Sequence, residues 1–325
     1  MTSRDELHVV FGTGPVGLAV MSELLAQGKR VRMVNRRGTA AVPESVEVVK
    51  ANAADPDSTR QVCQDATVVY NCVNAPYTDW AALLPPMHAA IIQGAAAANA
   101  KLVVAENLYM YGPVSGPITE TLPYHPTARK GRVRAQMAEE LMAAHRAGIV
   151  RATSGRASDF YGPGAGQQGI FGDRVIPPLL KGRTVSVLGK LDMPHTYTYI
   201  TDFGKGLVLL GAHDEALGKS WHIPNAPTLT TRQMLTLFFE EAHMPPRMSS
   251  VPDFLVRTLG LVNPLLREVA EMLYEFNEPF VVESNTFVQA FGDIATPHRE
   301  AVRQTLEWYK LSAQTQAAER LSLRS

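Results

Sequence analysis

The sequence predicts a doubly wound α/β fold around a parallel sheet, followed by a smaller, mostly helical C-terminal lobe. Short apolar, β-branched segments alternate with helical patterns through the first half of the chain. Such segments are typical of parallel strands that are buried on both faces of a sheet. A glycine-rich turn separates the first strand from the first helix, and glycine and proline become frequent after residue 160. This change in pattern marks the beginning of the second lobe.

The predicted strands and helices alternate along the first part of the chain. Strands are expected at residues 7–11, 30–34, 46–49, 67–72, 102–105 and 150–154. Helices are expected at residues 15–27, 55–64, 87–98 and 127–145, and in the lobe at 230–242 and 264–276. Right-handed crossovers between parallel strands place such helices on both faces of the sheet. We expect a first domain at residues 1–165, completed by about residues 196–225, and a substrate-binding lobe formed by residues 166–195 and 226–325.

The composition argues against a polyanionic partner. Of the 325 residues 46% are hydrophobic, and 31 Lys and Arg balance 31 Asp and Glu, so the net charge does not favour nucleic acid or an anionic membrane surface. We find no membrane span and no export signal. Cys63 and Cys72 have neither metal-ligand spacing nor the density of a disulfide scaffold. We therefore expect a cytoplasmic protein with a small-molecule substrate and no metal site, and a homodimer stays open.

The turn after the first strand is typical of a dinucleotide-binding site. It reads Gly12-Thr13-Gly14-Pro15-Val16-Gly17. In a G-x-G-x-x-G turn the glycines permit a tight bend, close approach of the backbone to a pyrophosphate, and close packing of helix on strand. The helix amino terminus offers free N–H groups to the phosphates. We predict a Rossmann-type domain that binds a nicotinamide cofactor through Gly12, Gly14, Pro15, Val16 and Gly17, with a purely structural turn as the alternative.

The end of the second strand favours NADP over NAD. An NAD-preferring site usually places an acidic residue there, against the ribose 2′-hydroxyl. This chain has Asn35, Arg36 and Arg37 instead. Two arginines can hold a 2′-phosphate through charge-assisted hydrogen bonds, so we assign all three residues to the cofactor site. NAD remains possible as the cofactor, and a solvated basic turn is the simpler structural explanation.

Five segments together resemble the short-chain dehydrogenase/reductase superfamily, in particular its extended, epimerase/dehydratase-like branch. Besides the glycine turn they are residues 108–113 (LYMYGP), 118–123 (ITETLP), 156–164 (RASDFYGPG) and 197–202 (YTYITD). They are similar to the family's VYG, ITE..P, R..N.YGPG and..Y(V/I).D motifs, and the resemblance covers nearly the whole chain. It implies a cofactor-dependent enzyme whose substrate contacts include Tyr109, Asp159, His195 and Tyr197. A hydrogen-bonded loop histidine is the alternative explanation for His195.

The positions that carry catalysis in this family differ here. The family's acid is a Tyr followed four residues later by a Lys, and the corresponding residues are Lys130 and Arg134. Asn107 replaces the Ser or Thr that polarises the substrate carbonyl, and Asn52 replaces an aspartate near the adenine. The resemblance further implies that Asn52, Asn74 and Arg134 contact the cofactor. The glycine turn is also G-x-G-x-x-G, where the family more often has G-x-x-G-x-x-G.

The replacements still allow acid chemistry. A lysine whose pKa is depressed by burial or by a neighbouring cation donates a proton near neutral pH, and an Asn amide can donate to a developing oxyanion. Lys130 and Asn107 are therefore candidate catalytic residues. An exposed basic first turn of a helix, or cofactor binding, would equally explain Lys130. Tyr109, Tyr111 and Tyr161 are alternative proton donors, although each is also a typical packing residue.

Three functional hypotheses follow. The first is an NADP-dependent oxidoreductase that moves a hydride between the nicotinamide and a carbonyl, an alcohol or an activated double bond. The second is an epimerase or dehydratase that uses the cofactor transiently on a sugar-like substrate, which the missing Tyr and Lys disfavour. The third is a non-catalytic NADP-sensing regulator. The polar residues of the second lobe favour an enzyme.

Overall fold

A computed structural model describes residues 6–322 of the chain, with side chains as far as residue 315. The contacts divide the chain into two units. The first comprises Met1–Ser158, Thr201–Pro224 and Val282–Ile294, and the second comprises Asp159–Ile200, Asn225–Val281 and Ala295–Ser325. Residues 282–294, which the sequence assigned to the substrate-binding lobe, thus group with the first unit.

The secondary structure consists of strands, α-helices and short 3₁₀ turns. The strands are β1 (Leu7–Phe11), β2 (Arg30–Asn35), β3 (Glu47–Lys50), β4 (Ala66–Asn71), β5 (Lys101–Glu106), β6 (Arg151–Arg156), β7 (Asp159–Tyr161), β8 (Val185–Leu188), β9 (Pro194–His195), β10 (Tyr197–Tyr199), β11 (Ser220–His222), β12 (Leu229–Thr230) and β13 (Met248–Val251). The helices are α1 (Pro15–Ala26), α2 (Pro56–Val62), α3 (Trp80–Ala97), α4 (Arg129–Arg146), α5 (Ile176–Leu180), α6 (Ile200–Ala212), α7 (Thr231–Glu241), α8 (Asp253–Gly260), α9 (Pro264–Ala270), α10 (Tyr274–Asn277), α11 (Asn285–Phe291) and α12 (His298–Ser322). The 3₁₀ turns are Tyr109–Tyr111, Gly166–Gln168 and Asp214–Ala216.

The first unit contains a seven-stranded sheet in the order β11-β6-β5-β4-β1-β2-β3. All neighbouring strands are parallel, which confirms the predicted doubly wound α/β class. Strand residues such as Val9, Val69 and Val104 are buried and share one core with Ile91 of α3 and Leu141 of α4. The continuous apolar strands of the sequence are therefore explained by helices that cover them.

Helix α3 and strand β11 differ from the expectation because of tertiary contacts. Helix α3 begins at Trp80 rather than at residue 87 and contains Pro85 and Pro86, although proline usually interrupts a helix beyond its first turn. The buried Trp80 anchors this early start, since its Nε1 donates to the Ala75 carbonyl at 3.2 Å and its ring packs in a small apolar cluster. The short strand β11 has no sequence signature and is defined by its pairing with β6.

The second unit combines three two-stranded ladders with helices. The pairs are β10-β7, β12-β9 and β13-β8. The predicted helix at 230–242 is present as α7, which begins with a capping box between Thr230 and Gln233. The predicted helix at 264–276 is divided into α9 and α10. Aromatic residues such as Phe171, Phe238 and Phe239 form the centre of its apolar core.

A buried ion pair joins the carboxyl ends of β5 and β6 in the first unit. Arg156 Nε donates to Glu106 Oε2 at 2.9 Å, and neither side chain is more than 2% exposed. The same guanidinium donates to the hydroxyls of Tyr111 and Tyr124. The Tyr111 hydroxyl in turn bonds to Nε2 of His222, at the end of β11, at 2.9 Å. Burial lowers the pKa of His222 to about 3. The ring is therefore neutral, and its Nε2 accepts a hydrogen bond from the Tyr111 hydroxyl.

We expect Arg156→Met to destabilise the protein strongly. The substitution leaves the buried Glu106 carboxylate without its counter-charge, and loss of one partner of a buried pair costs about 3 to 5 kcal/mol. Thermal and urea unfolding measure the effect. Arg232→Met is the matched control, because it breaks an exposed ion pair with Asp192 and should leave the unfolding midpoint almost unchanged. Equal midpoints for the two variants would contradict a stabilising role for the Arg156 network.

Candidate functional site

The glycine turn divides its three glycines between two tasks. Gly12 has a φ of +102°, and a Cβ there would lie 2.7 Å from the Cys72 carbonyl oxygen. A Cβ on Gly17 would lie 2.0 Å from the Gly12 carbonyl oxygen, so α1 can pack on β1 only without a side chain at this position. A Cβ on Gly14 would meet nothing within 4 Å. The protein itself therefore requires Gly12 and Gly17, whereas Gly14 leaves open space in front of α1.

The amino terminus of α1 is suited to binding an anion. Gly14 is the residue before the helix and Pro15 is its first residue. The N–H groups of the first turn, including those of Val16 and Gly17, have no acceptors one turn earlier in the helix. Partial positive charge accumulates at such a terminus and attracts phosphate groups. The open space at Gly14 is thus adjacent to the group of donors that a pyrophosphate requires.

Asn35 links the end of β2 to the glycine turn. Its Nδ2 donates to Thr13 Oγ1 at 3.1 Å and to the Thr39 carbonyl oxygen at 2.9 Å. Its Oδ1 accepts from the backbone N–H groups of Arg37 and Gly38 at 2.8 and 2.7 Å. With both ends of the amide engaged, Asn35 shapes the loop.

The two arginines after Asn35 remain available to a ligand. Arg36 and Arg37 are exposed. Neither guanidinium forms an ion pair or a hydrogen bond with another residue in the part of the chain that the structure describes. The loop shaped by Asn35 therefore presents two uncompensated positive charges beside the glycine turn.

The other two asparagines expected to contact the cofactor lie in exposed loops. Asn52 follows β3, and its Oδ1 accepts from the Ala54 N–H at 3.1 Å. Asn74 follows β4, and its Oδ1 accepts from the Ala75 N–H at 2.9 Å. Both loops begin at the carboxyl ends of strands, the edge at which open α/β sheets bind their ligands. The structure therefore places both residues at the correct edge but gives them only local contacts.

Lys130 and Arg134 lie buried against aromatic rings on one side of α4. Lys130 is 2% exposed and its Nζ lies 4.0 Å from the centre of the Tyr77 ring. Arg134 is 7% exposed and its guanidinium lies 4.5 Å from the centre of the Trp80 ring. Trp80 also stacks on Tyr109, with ring centres 5.8 Å apart. We call these five residues the aromatic–cation cluster; their burial excludes an exposed basic turn as the explanation for Lys130 and Arg134.

The charge of Arg134 is only partly compensated. Burial lowers the pKa of its guanidinium, against the opposing influence of the Glu106 carboxylate. Its Nε is buried and has no hydrogen-bond partner among the described residues. A buried donor without an acceptor is costly, so this atom would gain from a ligand oxygen placed near the cluster.

Asn107 lies next to this cluster through a close approach of backbone segments. A Cβ on Gly131 would lie 2.4 Å from the Tyr109 carbonyl oxygen, so only glycine allows α4 to come this near to the Tyr109–Tyr111 turn. Asn107 opens this turn, because its Oδ1 accepts from the Tyr109 N–H at 3.4 Å. The Nδ2 of Asn107 has no partner within the described ranges and is free to donate to a substrate oxygen.

Tyr111 and Tyr161, two of the alternative proton donors, are both buried and hydrogen-bonded. Tyr111 belongs to the Arg156 network, and burial raises the pKa of its hydroxyl to about 12. Tyr161 lies in the core of the second unit, where its hydroxyl is 3.3 Å from His298 Nδ1. These contacts favour structural roles for the two tyrosines.

The three residues of the second unit that were expected to bind substrate are grouped around one imidazole. His195 Nε2 lies 2.9 Å from Asp159 Oδ2. The His195 ring stacks on Tyr197 with ring centres 4.6 Å apart. The Tyr197 hydroxyl bonds to Thr231 Oγ1 at 2.7 Å, and burial raises the pKa of this tyrosine. Tyr197 thus supports the ring, whereas Asp159 carries the polar contact.

Sequence reasoning missed the residues that surround the predicted ones. Tyr77 and Trp80 form the aromatic part of the cluster, and Glu106 supplies the carboxylate near Arg134. Tyr77 and Trp80 lie in the segment that leads from the end of β4 to the start of α3, so their position after a strand end was the available signal. Glu106 precedes Asn107 in the chain, but its pairing with Arg156 depends on the adjacency of β5 and β6.

Two features are absent from the described residues. No group of three or more His, Cys, Asp or Glu side chains there is arranged to hold a metal ion. Among the same residues, no helix combines the length and the apolar character needed to cross a bilayer.

The sequence matches the NAD dependent epimerase/dehydratase family over residues 9–223, and the chain belongs to this family. Membership confirms the resemblance on which the sequence analysis relied, and it places the chain among the NAD(P)-dependent enzymes of the extended short-chain dehydrogenase/reductase type.

Individual relatives agree with this placement. The chain is 25% identical over 267 residues, 77% of this chain and 83% of the relative, to dTDP-6-deoxy-L-talose 4-dehydrogenase (NAD(P)(+)) from Kitasatospora kifunensis. The fold is similar to dTDP-glucose 4,6-dehydratase from Bacillus anthracis in complex with NAD, with a TM-score of 0.76, 13% identity, and 94% and 96% of the two chains covered. It is also similar to UDP-glucose 4-epimerase from Thermus thermophilus in complex with NAD, with a TM-score of 0.73, 17% identity, and 94% and 99% covered.

The open space at Gly14 makes a clean test of cofactor binding. Gly14→Val should leave the melting temperature nearly unchanged, because a Cβ at this position meets no protein atom within 4 Å, yet it should abolish cofactor binding by filling the space in front of α1. Gly17→Ala is the contrasting variant, since its Cβ would collide with backbone and should destabilise the fold. Calorimetric titration and thermal unfolding measure the two effects. A folded Gly14→Val protein with wild-type cofactor affinity would move the binding site elsewhere.

Proposed function

We propose that the protein is an NADP-dependent oxidoreductase that moves a hydride between the nicotinamide and a small organic carbonyl or alcohol, or an activated double bond. The observation that carries this proposal is the pair of exposed, unpaired arginines, Arg36 and Arg37, beside a glycine turn with open space at Gly14. The similarity to dTDP-6-deoxy-L-talose 4-dehydrogenase (NAD(P)(+)) supports an oxidoreductase.

The residues of the first unit fit such a cofactor. The α1 amino terminus and Gly14 would hold the pyrophosphate, and Arg36 and Arg37 would hold a 2′-phosphate. The orphaned Nε of Arg134 would donate to a ribose hydroxyl, as the resemblance implies for this position. Asn35 keeps the loop in shape, and Asn52 and Asn74 lie at the same sheet edge. The bound cofactor supplies the hydride chemistry, while the protein supplies orientation and electrostatics.

Lys130 is the proton donor or acceptor in this proposal, and Asn107 stabilises the substrate oxygen. The Lys130 Nζ lies 4.0 Å from the centre of the Tyr77 ring, a position in which an aromatic face attracts an ammonium group. The free Nδ2 of Asn107 would donate to the oxygen on which negative charge develops. Gly131 brings the helix that carries Lys130 close to the turn that Asn107 opens.

An epimerase or dehydratase is the second candidate function. The family description and the names of the similar structures favour it, and a sugar nucleotide would then be the substrate. The two candidates differ in the fate of the cofactor. An oxidoreductase consumes NADPH or forms it in step with product, whereas an epimerase or dehydratase returns the cofactor to its starting state. Absorbance at the nicotinamide band during turnover distinguishes them, and bound NADPH without any turnover would instead favour the regulator.

We predict that NADPH binds more tightly than NADH, by a margin on the order of 1 to 3 kcal/mol for charge-assisted phosphate contacts. Arg36→Ala and Arg37→Ala should reduce this margin and leave NADH affinity nearly unchanged. Fluorescence titration of both cofactors measures it. Arg30→Ala is the matched control, because Arg30 is equally exposed but begins β2. A preference for NADH that survives Arg36→Ala would contradict the NADP assignment.

We predict that Lys130→Met lowers turnover by about two to four powers of ten with little change in NADPH affinity. Methionine keeps much of the side-chain stem but removes the exchangeable proton. Steady-state kinetics and cofactor titration measure the two quantities. Arg132→Met serves as the control, since Arg132 is an exposed neighbour on the same helix. Loss of NADPH affinity with turnover preserved at saturation would assign Lys130 to cofactor binding, and intact values for both would exclude it from the site.

A further inference from the structure

The second unit contains a histidine whose two ring nitrogens both face acceptor oxygens. His195 Nδ1 lies 3.0 Å from the Glu275 carbonyl oxygen, and Nε2 lies 2.9 Å from Asp159 Oδ2. A carbonyl oxygen only accepts hydrogen bonds, so Nδ1 must carry a hydrogen. A hydrogen must also lie between Nε2 and the carboxylate, because two lone pairs at 2.9 Å would repel each other. We call Asp159 and His195 the carboxylate–imidazole dyad.

Two other histidines, half-buried His298 and buried His222, show a different arrangement. His298 Nε2 faces the Pro227 carbonyl oxygen at 2.8 Å, but its Nδ1 faces the Tyr161 hydroxyl, which can donate. His222 likewise faces the Glu283 carbonyl oxygen on one side and a hydroxyl on the other. In each of these two rings, a neutral imidazole can make both hydrogen bonds. His195 can make both of its hydrogen bonds only when a second proton lies between Nε2 and Asp159.

Aromatic rings and one carboxylate surround the His195 ring. The ring stacks on Phe276 and Phe280, with centres 5.3 and 5.1 Å apart and planes 7° and 20° from parallel. Aromatic faces attract cations. The nearby Glu275 does not compete as counter-ion, because burial and the Asp159 charge raise the pKa of the Glu275 carboxyl well above its usual value. Asp159 is therefore the counter-charge of the ring.

Only one end of the dyad is accessible to a ligand. The His195 side chain is 2% exposed, whereas the Asp159 side chain is 24% exposed. Oδ2 of Asp159 is taken by the ring, and its Oδ1 has no hydrogen-bond partner among the residues that the structure describes. Asp159 also follows the carboxyl end of β6 by three residues, and it stands where the R..N.YGPG motif has Asn. This chain thus has a charged acceptor at a position where the motif has a neutral amide.

We propose that the carboxylate–imidazole dyad determines substrate specificity: Oδ1 of Asp159 accepts a hydrogen bond from a hydroxyl or ammonium group of the substrate and disfavours a phosphate or carboxylate at that point. The proposal rests on the proposed function only in taking this ligand to be the substrate of that reaction. The shared proton holds the carboxylate in place and makes it a fixed acceptor. The oxygens of an anionic group would instead face the Asp159 Oδ1 with no hydrogen between them, and the two negative charges would repel each other.

The first test is the protonation of His195 in the full-length protein. Nitrogen-15 NMR of the imidazoles, with and without NADPH, should show a hydrogen on each of the two His195 nitrogens, because both face acceptor oxygens. Asp159→Asn should convert the ring to a singly protonated form, because the amide can donate to Nε2 and no longer supplies a counter-charge. Asp192→Asn, which removes an exposed carboxylate paired with Arg232, should leave the His195 signals unchanged. A neutral His195 ring in the wild-type protein would overturn the proposal.

The second test uses three probes on the same signals. D-glucose and D-glucosamine supply hydroxyl and ammonium donors, and inorganic phosphate supplies an anion. At least one donor probe should move the His195 signals saturably, phosphate should not, and Asp159→Asn should weaken the response about 10- to 100-fold. Tighter binding of glucosamine than of glucose identifies ammonium as the preferred donor, and equal or weaker binding identifies hydroxyl.

The outcomes separate this proposal from the proposed function. A response to phosphate, an equal response of Asp159→Asn, or no response to either donor would overturn the role of the dyad. NADPH affinity, measured on the wild type and on Asp159→Asn, tests the cofactor assignment independently. Affinity that is absent from both proteins would overturn the proposed function and leave the NMR result on the dyad intact.

Discussion

The buried pair of Glu106 and Arg156 is the constraint on which the first unit depends. It joins the carboxyl ends of β5 and β6, and through Tyr111 it reaches His222 at the end of β11. These are the three adjacent strands on one side of the sheet. Because burial of both charges is tolerable only with complete hydrogen bonding, the network fixes the strand ends in register. The residue after Glu106 is Asn107, so this fixed point also sets where the candidate substrate contact lies.

The same carboxylate influences the aromatic–cation cluster. Glu106 opposes the effect of burial on the Arg134 guanidinium, while it is already hydrogen-bonded to Arg156. One acidic group thus serves two buried arginines. The aromatic faces supply further electrostatic stabilisation, because Trp80 contacts Arg134 and Tyr77 contacts Lys130. These two aromatic rings therefore contribute electrostatically as well as by packing.

Local sequence rules predicted the fold well and the site only in part. The glycine turn and the alternation of strands and helices follow from short-range patterns, and the sheet confirms them. Helix α3 departed from the rules because Trp80 anchors it despite two prolines. The four-residue spacing of Lys130 and Arg134 on a helix was visible, but their burial depends on Tyr77 and Trp80, which lie on another segment. The partners of His195 could not be predicted either, since the Glu275 carbonyl oxygen comes from a helix 80 residues away.

The electrostatics of the first unit argue for a ligand that brings negative charge. Arg36 and Arg37 lie exposed without a counter-ion in the described part of the chain, and buried Arg134 keeps a donor without an acceptor. A protein gains no stability from either feature, because buried unsatisfied donors and like charges in one loop both cost free energy. The cost is recovered when an anionic or oxygen-rich ligand binds, since each contact then replaces a loss with a charge-assisted hydrogen bond. Phosphates at the exposed end and ribose or substrate oxygens at the buried end would satisfy both needs, and the proposed cofactor assignment places these groups there.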